Sequence, residues 1–156
     1  MSEQDVKDAN LLVVIAVDGY ARRHHVTAAE AYERLSAATI PGVIRDHYET
    51  LHMLDPFEVV DFVEDVLRRR NGQSLNSYGQ MSLMGEYLYK GQDVTICVLI
   101  QIENVVRILA ERECISFDEM LGRFYKSRTY RNLINPDCTL WAESADYIAD
   151  DFGRVA

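Results

Sequence analysis

Cysteine is sparse in this chain, and what there is does not pair by pattern. Cys97, Cys114 and Cys138 are odd in number and widely spaced, with no Cys-x-x-Cys among them. That excludes a disulfide framework and a cysteine zinc site, and it leads us to expect a reducing, cytoplasmic setting. Basic charge is also short: the net charge is −9. Most nucleic-acid affinity comes from neutralised phosphates, so such a balance argues against a general nucleic-acid binder. The most basic run, Arg68-Arg69-Arg70, falls at the end of an expected helix, where cations complement the helix dipole. The opening MSEQDVKDAN is polar and acidic and does not read as a signal peptide. The most apolar segment, Val94 to Ala110, is interrupted by Gln101, Glu103, Asn104 and Arg107, so it fails as a membrane span and reads as a buried helix. Strand-like alternation is scarce. There is no glycine-rich phosphate loop, nucleophile elbow or His-Glu-x-x-His.

What is present is an apolar share of 48%, enough for a buried core, in 156 residues, enough for one domain or two very small ones. Helix starts are dense. Thr27-x-x-Glu30 and Ser116-x-x-Glu119 both match the capping box, in which hydroxyl and carboxylate each satisfy a free backbone N–H. Asp55-Pro56-Phe57-Glu58 is a third start, and Asp93 is the expected cap of the long apolar helix after it.

The two capping boxes belong to a longer correspondence. A shift of 89 residues sets Arg23 on Arg112, Val26-Thr27 on Ile115-Ser116, Leu35 on Phe124 and Thr50-Leu51-His52 on Thr139-Leu140-Trp141. Beyond that point a shift of 85 sets Phe62-Val63-Glu64-Asp65 on Tyr147-Ile148-Ala149-Asp150. We therefore expect an all-α fold of two tandem units, residues 1–69 and 93–156, forming one compact, pseudo-twofold body. Each unit has four helical elements: a long apolar helix (9–25; 94–113), a capped second helix (28–37; 117–126), a short third piece (42–52; 128–135) and an amphipathic last helix (56–69; 144–153). Two helical hairpins sharing only generic helix grammar are the competing explanation. Residues 70–92 read as the linker; their second half, with Met81, Leu83, Met84 and Tyr87, is apolar enough to be expected in order over a groove.

Candidate chemistry is thin. His47 and His52 are five apart and do not share a helical face, and His24 and His25 are adjacent and diverge, so no metal site is expected. Asp150-Asp151 and Glu64-Asp65 read as solvated helix faces. No cofactor and no catalytic residue are assigned. Surface contact remains. The nine tyrosines and one tryptophan include Tyr48, Tyr130 and Trp141 in or beside the short third elements, which are expected to be the least buried. Aromatic residues with a polar edge are typical interface anchors, so Tyr48, His52, Tyr130 and Trp141 are the candidate binding residues, with core packing as the ordinary alternative.

The apolar helix ending in Tyr20-Ala21-Arg22, the Ala31-Tyr32-x-x-Leu35 of the capped helix, His47-Tyr48-x-x-Leu51-His52 and the final Val59-x-Asp61-Phe62 pattern resemble an uncharacterised family of small bacterial domains of unknown function. The second half, with Phe124-Tyr125-x-Ser127-x-Thr129-Tyr130, resembles a sister group. Members typically stand alone in short reading frames, often beside a predicted ADP-ribosyltransferase-like protein. The resemblance implies a toxin–antitoxin-like setting and supplies no catalytic residues. The resulting expectation is a non-catalytic protein-interaction module, with the neutralising partner of a toxin-like enzyme as its specific form and a homo-oligomer left open. A helix-turn-helix DNA-binding regulator is the alternative.

Overall fold

The computed structural model describes residues 2–71, 88–89, 92–135 and 138–155. The chain divides into two compact units, Met1–Leu83 and Met84–Ala156. The described residues are almost all helical, as the scarcity of alternation predicts.

The first unit begins with α1, Glu3–His24, which starts six residues before the expected position. Ser2 explains the difference. Its hydroxyl accepts from the Asp5 N–H while the Asp5 carboxylate accepts from the Ser2 N–H, a capping box with aspartate in the glutamate's place. Next come α2, Ala28–Ala37, α3, Ile40–Asp46, α4, Tyr48–Leu51, and α5, Pro56–Asn71. The expected third piece is thus two pieces, parted at His47. Helix α1 packs on α2, α3 and α5. Its residues Leu12 to Ala21 are buried without interruption, so it is the core element that the others cover.

The second unit holds α6, Thr95–Glu113, α7, Phe117–Tyr125, α8, Arg128–Leu133, a 3-10 turn at Leu140–Ala142, and α9, Ala145–Val155. Helix α6 is central, packing on α7, α9 and the 3-10 turn, while α8 packs on α7 and α9. Just before α6, two-residue strands β1, Leu88–Tyr89, and β2, Gln92–Asp93, pair antiparallel. The cap of α6 is Val94, with no side-chain cap bond, so Asp93 does not cap it. Asp93 is instead committed to the strand pair. The expectation of order in the second half of the linker falls mostly on residues outside those described.

Both long helices end in the same corner. His25 and Cys114 adopt left-handed backbone, φ 53° and 56°. The His25 N–H donates to the Arg22 carbonyl and the Val26 N–H to the Ala21 carbonyl; Cys114 and Ile115 do the same toward Glu111 and Ala110. This is the Schellman arrangement. Thr27 or Ser116 then caps the following helix by accepting from the N–H of Glu30 or Glu119. The fourth helices depart from the expected shift of 85. Glu58 N–H donates to Asp55 and Tyr147 N–H to Ser144, which are 89 residues apart. Val59-Val60 and Ile148-Ala149 are the buried pairs at that spacing. The shift of 85 differs from 89 by about one helical turn and also sets buried Val63 on buried Ile148, so the caps and not the core distinguish the two registers.

Candidate interaction surface

The four candidate residues fall two in each unit, and the structure gives them different surroundings. Tyr48 is the first residue of α4 and is buried. Its hydroxyl donates toward Asp5 Oδ1 at 3.4 Å and Asp8 Oδ2 at 3.5 Å on α1. Burial, followed by the nearby charges of Asp8 and Asp5, pushes the Tyr48 hydroxyl above the usual tyrosine value. Asp5 is held below the usual carboxylate value, first by the Ser2 N–H and then by the Ser2 hydroxyl. His52 follows α4 and is exposed. Its ring stacks on Tyr48 at 4.9 Å, and its Nδ1 bonds the Tyr48 carbonyl oxygen at 2.8 Å, donating in that contact.

In the second unit Tyr130 lies in α8 and is buried. Its ring meets Tyr125 edge-on at 5.1 Å and Phe124 at 5.9 Å. Trp141 sits half-buried in the 3-10 turn. Gln101 of α6 donates to the Trp141 carbonyl at 3.0 Å and to the Glu143 carbonyl at 2.5 Å, fixing that turn on α6. The short third elements are therefore not the least buried parts: both tyrosines turn inward. A four-residue helix cannot hold its shape from backbone bonds alone, so it needs a large inward side chain to anchor it.

Sequence reasoning passed over Met53, which is 77% exposed and follows His52 in the turn between α4 and α5. From Asp46 to Leu67 the chain has no lysine or arginine, and Asp46, Glu49, Asp55 and Glu58 are all exposed. An apolar, adaptable side chain thus stands in an acidic corner beside the His52 ring. The signal was present: a methionine between a histidine and a Leu-Asp-Pro turn has no helical core position to fill.

Chemistry of other kinds finds little here. Among the described residues, no group of three or more His, Cys, Asp or Glu side chains is arranged to hold a metal ion. Among them also, no helix is long and apolar enough to cross a membrane. The buried polar side chains sit in contacts that serve the fold. Glu64 bonds His24 Nε2 at 2.7 Å, Asn10 accepts from Arg45 at 3.0 Å, and Thr129 donates to Asp151 at 3.1 Å.

Residues 12–70 match the model of a family described as a protein of unknown function, DUF3791. The match lies within the first unit and contains the acidic corner, His52 and Met53. No curated protein and no solved structure matches the chain.

Proposed function

We propose that this chain is a non-catalytic protein-interaction module that neutralises a toxin-like enzyme, and that its acidic corner is the contact surface. The observation that carries the reading is exposed Met53 beside His52, among Asp46, Glu49, Asp55 and Glu58. An apolar anchor supplies contact energy, and the surrounding carboxylates match a basic active-site cleft and speed encounter with it. The neighbourhood implied by the family resemblance supplies the toxin-like partner; a bacterial source and a cytoplasmic setting belong to the same proposal. So does the reading of the two units as copies of one ancestral unit. It is supported by the 89-residue spacing of Thr27 and Ser116, His25 and Cys114, and Asp55 and Ser144.

The regulator reading loses support from the arginines. Arg22, Arg23, Arg68, Arg69, Arg107, Arg112, Arg123 and Arg154 each meet a carboxylate of their own unit. Cations engaged in this way contribute less to a phosphate-binding face.

The test is a binding titration against a purified ADP-ribosyltransferase-like enzyme of the kind the resemblance implies, with inhibition of that enzyme as a second readout. His52→Ala and Met53→Ala are expected to weaken binding, each by roughly thirtyfold if it is a hot spot, or about 2 kcal/mol. Glu49→Lys should slow association and weaken its salt dependence. Trp141→Ala is the corresponding variant of the second unit. Tyr48→Ala and Tyr130→Ala remove buried rings, so they are read only where circular dichroism shows the fold intact. Full-strength binding by folded His52 and Met53 variants, or an uninhibited enzyme, overturns the proposal.

A further inference from the structure

We draw no further inference here: the strongest candidate, the exposed apolar face that Ile96, Cys97 and Ile100 make on the first turns of α6, carries nothing because nothing in the structure shows what covers it.

Discussion

Arg23 in the first unit reaches Asp61 of α5 at 2.6 Å with its side chain 5% exposed, while Arg112 in the second reaches Asp150 of α9 at 2.8 Å with its side chain 45% exposed. The two pairs stand 89 residues apart at both ends, joining the long helix to the last helix in each unit. The surroundings differ. Beside Arg23, His24 bonds the buried Glu64, and Tyr20 stacks on the His24 ring at 4.1 Å. The positions 89 residues beyond His24 and Glu64 hold Glu113 and Gly153, which cannot form that contact. The second unit relies more on aromatic packing. Phe124 is fully buried and meets Phe152 at 6.1 Å and Tyr130 at 5.9 Å, where the first unit has Leu35 at the corresponding place. Similar helix ends and caps therefore serve two different interiors, one with a buried polar clasp and one with a cluster of rings. Capping depends on a few backbone-bonding residues, whereas the interior depends on side-chain volume and charge. The two can vary separately.

The largest expected effect tests that contrast in the cores. Phe124→Ala should cost about 3–5 kcal/mol, and Leu35→Ala about 2–5 kcal/mol, because each removes a fully buried side chain. The chain has one tryptophan, Trp141 in the second unit, so its fluorescence reports that unit while far-ultraviolet circular dichroism reports both. Phe124→Ala is expected to lower the denaturation midpoint seen by fluorescence. Leu35→Ala is expected to lower the dichroism midpoint more than the fluorescence midpoint. Equal shifts in both signals for both variants would mean that the units unfold as one.

Next in size is the ion-pair contrast. Arg23→Ala should cost about 1–2 kcal/mol, since it removes a buried stem and a charge-assisted bond. The exposure of Asp61, at 56%, limits the penalty for leaving that carboxylate alone. Arg112→Ala should cost under about 0.5 kcal/mol, because the pair is open to solvent and screened by salt. Urea denaturation at low and high salt separates them: only the small Arg112 effect should vanish in salt. Equal costs would erase the distinction between the two joints.

These expectations rest on residues whose legibility in the sequence varied. Thr27, Ser116 and Asp55 were readable because a cap is a local device: a hydroxyl or carboxylate and an acidic partner three places on suffice. Leu35 and Phe124 were readable as matching apolar positions from the 89-residue shift. Ser2 was missed because its partner is Asp5 and not Glu or Gln. The register of the last helices went astray because a slip of about one helical turn still sets buried Val63 on buried Ile148, and only the caps at Asp55 and Ser144 tell the two registers apart. The inward turn of Tyr48 and Tyr130 was not legible either. A short helix has too few residues to show a periodic face, and its orientation comes from distant partners, such as Asp5 and Asp8 for Tyr48. Met53 was legible as a residue with no helical core position to fill, but its exposure beside the His52 ring needed the structure.

A smaller effect, with stabilising sign, is expected at the two corners. His25 and Cys114 have nearly equal positive φ, 53° and 56°, in matching Schellman caps. A non-glycine residue there costs roughly 1–2 kcal/mol, and glycine gives back part of that relief through its greater freedom in the unfolded chain. His25→Gly and Cys114→Gly should each stabilise by about 0.5–1 kcal/mol and by similar amounts. The check is the thermal midpoint of each variant against the parent. A loss at one site with a gain at the other would show that the corners match in backbone but not in energy.

The effect at Tyr48 is small at neutral pH, and its value lies in its pH dependence. The hydroxyl contacts with Asp5 and Asp8 are long, 3.4 Å and 3.5 Å, so Tyr48→Phe should cost under about 1 kcal/mol near neutrality. The folded state holds this hydroxyl above its ordinary value of 10.0, chiefly through burial and then through the two carboxylates. A raised folded value means that the associated stability is fully present below pH 10.0 and is lost as pH rises through the folded value, because the unfolded chain releases the proton first. Tyr48→Phe should therefore make the alkaline fall in stability shallower, while leaving the acid side governed by groups such as Asp5. Its lowered value works in the opposite sense: that contribution is present above 3.8 and is lost as pH falls through the folded value. Urea midpoints measured from neutral pH to about pH 11 provide the comparison. An alkaline fall as steep in Tyr48→Phe as in the parent would show that the α1–α4 contact is not what sets the first unit apart at high pH.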